Sequence, residues 1–185
     1  FVRRVTHHAS SPPPPPLHYP EAAAWGGERY YLQADVPDDV LSAKSVPKLW
    51  RSLIGAGSAA HPRQAQPLRL WVSTHGATTP LHFDMAGSFL AQMRGSKRLV
   101  FYPPHAMEGL YPYPVDHPLH RRARVSLYAP PAERAEDFPR FGDVAEGEAQ
   151  VLDLNEGDVV VFPPFWFHHV ETTSALSCSV GCRYV

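Results

Sequence analysis

The sequence predicts a mainly β fold of the sandwich or jelly-roll type, with a short N-terminal helix and a long loop insertion. Short apolar runs, several of them alternating with polar residues, recur along most of the chain. Turns rich in glycine and proline separate these runs, which is the pattern typical of antiparallel sandwiches and barrels. With 185 residues, the chain is long enough to bury the core of one such domain.

The N-terminal part differs from the rest in composition. The chain has 21 prolines, about twice the usual share, and five of them form the run at 12–16. Such a run favours an extended polyproline II conformation, so residues 1–27 are expected to be an irregular, proline-rich lead. The folded barrel is then expected to occupy residues 28–185.

A short helix is predicted at residues 45–54, after the first strand and before a loop at 56–67. Ser45 can cap its N-terminus, Pro47 suits its first turn, and Gly55 is well placed to end it. Apolar residues recur on one face of this segment, which is the pattern of a helix that packs against a core.

The rest of the chain alternates apolar runs with turns, apart from one long insertion. The insertion covers residues 103–147, with a short strand expected at 125–128. It is too long to be an inert connection, and we expect it to form a lid or a substrate platform. The other predicted strands cover residues 28–34, 68–73, 81–84, 89–93, 97–102, 148–154, 159–163, 168–172 and 175–183.

Two stretches carry residues that can bind a metal. His82 and Asp84 are two positions apart on a predicted strand, so their side chains point to the same face. A second imidazole, His168, follows a buried strand much later in the chain. Two strands that face each other across a small barrel would bring these three groups together. Two imidazoles and one carboxylate form the ligand set of non-haem Fe(II) centres.

Other interpretations of these residues remain open. The chain has 11 histidines, so a His-x-Asp pair can arise by chance. His169 neighbours His168 but points to the opposite face of a regular strand, where it is a supporting or a surface residue. A structural zinc site normally needs cysteines and histidines at short spacings, which the two cysteines do not offer.

A cation next to a metal would extend this site. Lys97 begins the strand that follows the turn at 94–96, directly after the His82 and Asp84 strand and its partner. A dicarboxylate that chelates a metal at one end needs a positive charge and a hydroxyl at the other. Lys97 and Thr79 can supply these groups. The alternative is that Lys97 is a solvated lysine at the end of a strand.

These stretches together resemble a known family, the JmjC-type 2-oxoglutarate oxygenases, which belong to the cupin-like proteins. The likeness covers about 28–184, and it is closest to the asparaginyl-hydroxylase branch typified by factor-inhibiting HIF. The segment at 110–118, Leu-Tyr-Pro-Tyr-Pro-Val-Asp-His-Pro, is an especially specific match. The other segments that resemble the family lie at 79–84, 89–98, 101–104, 138–141 and 157–169.

The resemblance implies a double-stranded β-helix fold and a role for individual residues. His82, Asp84 and His168 match the ligands of Fe(II). Lys97, Thr79 and Tyr31 match residues that hold the distal carboxylate of 2-oxoglutarate, and Ser88 stands where the asparaginyl hydroxylase has an asparagine near that co-substrate.

The resemblance also implies residues that contact the substrate. Arg121 matches an arginine of the substrate-binding loop, and Trp166 precedes the last metal ligand in the matching motif. Arg122 replaces a glutamine of the asparaginyl hydroxylase. Adjacent arginines favour a partner rich in carboxylates, phosphates or backbone carbonyls, so we expect a peptide segment of acidic character near the reacting residue, and we do not expect asparagine as the preferred target. The alternative is that both arginines are solvated loop residues.

The implied function is a 2-oxoglutarate-dependent dioxygenase that uses Fe(II) and O2 to hydroxylate a side chain of a protein or peptide. Succinate and CO2 would be the co-products, and the residues 28–185 would form a JmjC-type catalytic barrel. The alternatives are an N-methyl-lysine demethylase, a hydroxylase of small molecules or RNA, and a catalytically silent cupin that binds a ligand.

Composition and cysteine spacing bear on the partners and the compartment. A formal net charge of -1 gives no electrostatic reason to expect nucleic acid, and no apolar stretch is long enough to cross a membrane. Cys178 and Cys182 lie on one predicted strand, about 13 Å apart, too far for a disulfide. We therefore expect an intracellular protein, cytoplasmic or nuclear. The residues predict no oligomeric state.

Overall fold

The structure, a computed structural model, describes residues 3–5, 27–36 and 68–184, and within them ten strands form two antiparallel sheets. The predicted helix at 45–54 and the loop at 56–67 lie outside the described residues. The strands are β1 (Arg3–Val5), β2 (Tyr31–Asp35), β3 (Arg69–Thr74), β4 (Thr78–Phe83), β5 (Gly87–Arg94), β6 (Lys97–Tyr102), β7 (Gln150–Leu154), β8 (Val159–Phe162), β9 (Phe167–Thr172) and β10 (Leu176–Tyr184).

The two sheets confirm the mainly β, jelly-roll prediction. One sheet has six strands in the order β1-β8-β5-β10-β3-β2, and the other has four in the order β4-β9-β6-β7. All of the pairings are antiparallel. Neighbours in a sheet are mostly distant in sequence, which is expected for a barrel closed by strands that cross between sheets.

The predicted strands agree with the structure to within a few residues, and β6 has the predicted bounds. Its start is well marked because Gly95, with φ of 71°, forms the turn before it. One strand was missed. Residues Arg3–Val5 lie in the segment expected to be irregular, yet they pair with β8 at the edge of the six-stranded sheet.

The insertion contains helices that the sequence did not predict. A 3-10 helix at Pro104–Ala106 leads into α1 (Met107–Leu110), and α2 (Pro131–Asp137) and α3 (Phe141–Glu148) follow. The strand expected at 148–154 therefore begins only at Gln150, because α3 continues through Glu148.

The strand predicted at 125–128 is wrong. Val125 and Leu127 are buried while Ser126 is exposed, so the burial does alternate along this segment. The two buried side chains pack against Leu110 and Phe141 in a core cluster. The segment pairs with no described strand. Alternation here reflects packing of an irregular chain against a hydrophobic surface, a pattern that sequence periodicity does not separate from a strand.

Two hydrophobic clusters lie on opposite faces of the four-stranded sheet. On β6, Leu99 and Phe101 point into the barrel, where they pack with Val160 and Phe162 of the other sheet. The residues between them, such as Val100, point outward and are covered by the helices of the insertion. The insertion therefore supplies one wall of the core and gives the sheet that carries the candidate site a rigid support.

The insertion is also hydrogen-bonded to the edge of that sheet. The backbone N–H of Phe83 donates to the carbonyl of Arg121 at 3.0 Å, and the N–H of Ala123 donates to the carbonyl of Leu81 at 2.9 Å. These bonds continue the ladder beyond β4, whose edge would otherwise be open. Of the helices in the described residues, none combines the length and the apolar character needed to cross a bilayer.

Candidate metal centre

The structure brings the three predicted metal ligands together. One nitrogen from each of His82 and His168 and one carboxylate oxygen of Asp84 all lie within 4.8 Å of one another. His82 lies on β4, His168 on β9, and Asp84 directly follows β4. His168 and Asp84 are almost fully buried. A group of this kind can hold a divalent ion with coordination positions left for other ligands.

The expectation that two facing strands would supply the ligands is wrong. Strands β4 and β9 are hydrogen-bonded neighbours in one sheet, and His82 pairs directly with His168. Their ring centroids are 4.2 Å apart, in keeping with the short distance between directly opposite side chains of antiparallel strands. Direct pairing positions the two imidazoles through the backbone hydrogen bonds of neighbouring strands.

Both imidazoles are held in the tautomer that a metal requires. The Nδ1 atom of His82 lies 2.9 Å from the carbonyl oxygen of Pro80, and Nδ1 of His168 lies 3.0 Å from that of Trp166. A carbonyl can only accept, so each Nδ1 carries the proton and each Nε2 keeps a free lone pair. Hydrogen bonding of the outer nitrogen is the usual way in which proteins orient metal-binding histidines. The donor set therefore fits a divalent metal.

Burial favours the neutral form of both candidate ligand histidines. Burial is the largest cause that lowers the pKa of His82, and it outweighs the opposing effect of the Asp84 carboxylate. Burial also lowers the pKa of His168 far below the usual range, and the neighbouring His82 lowers it further. Neutral rings need not lose a proton before they bind a metal.

Two arginines contact the carboxylate of the site. Nη2 of Arg183, on β10, donates to Oδ1 of Asp84 at 2.8 Å. Nη1 of Arg121 lies 3.6 Å from the same oxygen. Since both contacts use Oδ1, the second oxygen of Asp84 is the one best placed to bind a metal. Arg121 reaches this position because its own backbone is bonded to β4.

A cavity of about 170 Å³ lies between the two sheets and includes the three candidate ligands. Lys97 lines it and is only 3 % exposed, with Nζ donating to Oγ of Ser73 at 3.1 Å. Burial lowers the pKa of Lys97 to about 8. Lys97 is thus a buried cation in the same cavity as the metal set, and not a solvated lysine.

The other residues predicted to hold a co-substrate line the same cavity. The hydroxyl of Tyr31 lies 3.3 Å from the hydroxyl of Thr79, and both residues belong to the cavity wall. Ser88 lies there as well, and its buried hydroxyl has no hydrogen-bond partner within the described residues. The structure therefore brings Lys97, Thr79, Tyr31 and Ser88 to one place, although their roles stay predictions.

The predicted substrate-binding residues are more dispersed. Arg121 lies at the edge of the site, whereas Arg122 pairs through its backbone with His82 and has an exposed side chain. Trp166 is 9 % exposed and packs in the core with residues such as Phe162. It is not among the residues that line the cavity, so its contact with substrate stays a prediction.

His169 lies behind the site. It is 2 % exposed, and the hydroxyl of Tyr128 in the insertion lies 3.1 Å from its Nε2. Burial lowers its pKa to about 4. The two adjacent histidines thus alternate as expected on β9, with His168 toward the cavity and His169 toward the insertion. His169 is a buried supporting residue and not a surface one.

The sequence interpretation missed Arg183, which touches a candidate ligand. The signal was present, because β10 was predicted correctly and alternation could have placed one of its faces toward the barrel. A register shift between Cys178 and Ser179 breaks that alternation, so counting from the start of the strand does not give the right face. Further cavity-lining residues that were missed are Gln33, Arg69, Trp71, Phe162 and Cys182.

The chain matches the model of the family described as a cupin-like domain over residues 19–184. It is 27 % identical over 146 residues to "Lysine-specific demethylase JMJ31" of Arabidopsis thaliana, covering 79 % of this chain and 26 % of that protein. It is 33 % identical over 117 residues to "Lysine-specific demethylase JMJ30" of the same plant, covering 63 % of this chain and 26 % of that protein.

A further relative, whose name does not mention demethylation, is "HSPB1-associated protein 1" of Homo sapiens. The identity is 29 % over 120 residues, which is 64 % of this chain and 24 % of the human protein. The chain spans about a quarter of the length of these curated relatives. The match over nearly the whole chain, the two-sheet fold and the His/Asp/His group agree with one another. The chain therefore belongs to the cupin-like, JmjC-domain family.

Proposed function

We propose that residues 28–185 form an Fe(II)- and 2-oxoglutarate-dependent oxygenase that hydroxylates a side chain of a protein or peptide. The observation that supports this most strongly is a single cavity that contains both the His82, Asp84 and His168 group and the buried Lys97. A metal set without a cation would suit many cupins. A buried cation in the same cavity is suited to a ligand that binds the metal at one end and carries a carboxylate at the other.

Each ligand residue has a defined task in this proposal. Nε2 of His82, Nε2 of His168 and a carboxylate oxygen of Asp84 would hold Fe(II), a ligand set that leaves positions for a bidentate co-substrate and for O2. Bound there, Fe(II) would supply the oxygen-activating redox chemistry, with 2-oxoglutarate as the source of electrons and with succinate and CO2 as products. The chain supplies orientation and the exclusion of side reactions.

Lys97, Thr79 and Tyr31 would hold the distal carboxylate of 2-oxoglutarate. Two hydroxyls 3.3 Å apart and one ammonium group can together donate three hydrogen bonds to a carboxylate. Lys97 is nearly inaccessible to water, so its charge acts in a medium of low dielectric constant, where a charged ligand is bound strongly. The hydrogen bond that Lys97 donates goes to the neutral hydroxyl of Ser73, so a carboxylate would stabilise its desolvated charge.

Apolar side chains form much of the remaining wall. Leu99 and Val170 lie between Lys97 and His168 along the four-stranded sheet. Together with Phe162 of the other sheet, they line the cavity. They would exclude water from the metal, which protects a reactive centre from side reactions.

The names of two relatives favour a second candidate function, the demethylation of N-methyl-lysine. The charges at the site argue against it. Arg183 and Arg121 both lie against Asp84, so a methylated ammonium group would approach two like charges. A substrate without positive charge suits this entrance better, and this is why we favour hydroxylation.

The test is the uncoupled conversion of 2-oxoglutarate to succinate by the Fe(II)-loaded chain without added substrate. We expect slow, O2-dependent formation of succinate, detected with isotopically labelled 2-oxoglutarate. Asp84→Ala should form none, and Lys97→Ala should form much less when 2-oxoglutarate does not saturate the wild-type protein. Fe(II) binding is measured in parallel, so that loss of metal is separated from loss of co-substrate. A chain that binds the metal but makes no succinate would be a catalytically silent cupin.

The substrate can be identified by trapping. Proteins retained by the Fe(II)-loaded chain without oxygen would be exposed to air and searched by mass spectrometry for the gain of one oxygen atom. We propose an intracellular substrate, since the two free cysteines, Cys178 and Cys182, suit a reducing compartment. Loss of a methyl group in the same experiment would identify a demethylase instead.

A further inference from the structure

Arg183 and Ser88 form a pair of hydrogen-bond donors beside the metal group. They lie directly opposite each other on the paired strands β10 and β5, so their Cβ atoms are about 5 Å apart. Both line the cavity. Arg183 uses one of its five N–H donors on Asp84, and its side chain is 42 % exposed. It therefore extends from the metal group toward the entrance of the cavity.

Ser88 has an unused hydroxyl, and the co-substrate proposed above is held by Lys97, Thr79 and Tyr31 without it. The residue is 8 % exposed, and its Oγ has no hydrogen-bond partner within the described residues. A buried hydroxyl without a partner destabilises the fold, and such a group at a cavity wall is best explained by a ligand that satisfies it. A guanidinium can only donate hydrogen bonds, and a hydroxyl beside it can donate as well. The ligand atom that suits this pair is therefore an anionic oxygen.

The charges of the cavity leave Arg183 without a sufficient counter-charge. Arg69, another cation of the wall, has its own partner in Asp35 at 3.5 Å. In the proposed complex, the formal charges of Fe(II), doubly negative 2-oxoglutarate, Asp84 and Lys97 would sum to zero. Arg183 and Arg121 both lie against the carboxylate of Asp84, but the negative charge of Asp84 is already included in that sum. The two arginines therefore add positive charge that the site does not balance. An anionic group on the substrate would complete the balance.

We propose that Arg183, Ser88 and Arg121 form an anion subsite beside the metal group, and that it receives a carboxylate of the substrate. This inference rests on the proposed oxygenase function and names its substrate class. Arg183 donates to the candidate ligand Asp84 at 2.8 Å, so a carboxylate that Arg183 binds would lie beside the metal group and close to the carbon that reacts. The reacting residue is therefore an aspartate or glutamate, or is directly adjacent to one.

The subsite is tested by binding, with no turnover. The chain is loaded with Mn(II) and the non-reacting analogue N-oxalylglycine, immobilised, and offered three pools of pentapeptides. The central residue is aspartate, asparagine or phosphoserine, and the flanking residues are random. We expect the aspartate pool to be retained at least about tenfold more than the asparagine pool, which is the low end of a charge-assisted hydrogen bond.

Two variants and one control assign the effect to the subsite. Arg183→Gln and Ser88→Ala should each lower the preference for aspartate over asparagine, and Arg183→Lys should keep part of it. Arg94→Gln is the control, because Arg94 is exposed at the far end of the strand that carries Ser88. That variant should keep the full preference.

Each other outcome contradicts the proposal in a distinct way. Equal retention of the aspartate and asparagine pools, with Mn(II) and N-oxalylglycine bound, would overturn the subsite and leave the oxygenase function standing. Stronger retention of the phosphoserine pool would overturn the assignment to a carboxylate. Failure to bind Mn(II) or N-oxalylglycine would overturn both proposals. An unchanged preference in Arg183→Gln would show that the acidic residue is recognised elsewhere.

Discussion

His82 and His168 are direct cross-strand partners on neighbouring antiparallel strands, and their ring centroids are 4.2 Å apart. The outer nitrogen of each ring is bonded to a backbone carbonyl two residues before it. The same strand pairing thus fixes both the separation and the tautomer of the two imidazoles. Any change that shifts the register of β4 against β9 will separate the ligands, even if all three remain in the sequence.

The first prediction concerns the choice between two adjacent histidines. His168→Ala should weaken Mn(II) binding by more than about 100-fold. Removal of a metal ligand weakens binding more than removal of a residue that only orients a ligand, which costs about tenfold to 100-fold. His169→Ala should weaken it by less than about tenfold but lower the melting temperature by several degrees, since the buried ring packs against Tyr128. Isothermal titration and thermal unfolding measure the two effects. Equal loss of Mn(II) binding in both variants would contradict the assignment.

The second prediction concerns the co-substrate. Lys97→Ala should weaken 2-oxoglutarate binding by about tenfold to 100-fold, because one charge-assisted hydrogen bond in a buried site is lost. Mn(II) binding should stay nearly unchanged, since Lys97 is not one of the grouped ligands. Titration of the Mn(II)-loaded protein with 2-oxoglutarate gives the affinity. An unchanged affinity would remove Lys97 from the co-substrate site.

The third prediction follows from the pKa of the same lysine. Burial lowers the pKa of Lys97 to about 8, and a bound carboxylate favours the charged form and so raises this pKa in the complex. The affinity for 2-oxoglutarate should be constant below about pH 8 and fall by up to about tenfold per unit above it, because the free protein must then take up a proton. In Lys97→Ala, whose affinity is lower throughout, this fall should disappear. A fall of the same size in the variant would assign the titration to another group.

The fourth prediction compares two glycines. A Cβ at Gly181 would collide with the carbonyl oxygen of Phe89 in the neighbouring strand and would lie 3.2 Å from the ring of Trp71. Gly181→Ala should lower the free energy of unfolding by about 1–3 kcal/mol, since backbone cannot move aside cheaply. Gly142→Ala is the matched control, because Gly142 lies in α3 with nothing near its Cβ position. It should be neutral or stabilising by up to about 1 kcal/mol. Denaturant unfolding would decide.

The fifth prediction separates the two adjacent arginines of the insertion. Arg121 lies 3.6 Å from Asp84, whereas the side chain of Arg122 is exposed. Arg121→Gln should therefore reduce the retention of acidic peptides by about tenfold, and Arg122→Gln should reduce it much less. Neutral peptides serve as the comparison for each variant. A larger effect of Arg122→Gln would show that acidic segments bind outside the cavity, on the surface of the insertion.

The sequence by itself determined the elements of this protein and the kinds of group in its site. Period-two alternation and glycine turns indicated most of the strands, and β6 had the predicted bounds. His82 and Asp84 could be assigned to one face because two positions on a strand point the same way. The helices of the insertion were not predicted; those that carry Ala106, Leu110 and Phe141 pack against the outer face of the four-stranded sheet, and short helices depend on such packing.

Only the tertiary structure decided which strands are neighbours and which side chains meet. Thr79 and His82 are three positions apart and would point to opposite faces of a regular strand. A register shift between them on β4 brings both to the cavity wall, as an extra residue in a bulge does. A second shift on β10 precedes Arg183. Such shifts depend on contacts between strands far apart in the sequence, so local periodicity does not reveal them. For this reason the sequence specified the candidate ligands, while the fold specified that Arg183 and Ser88 stand beside them.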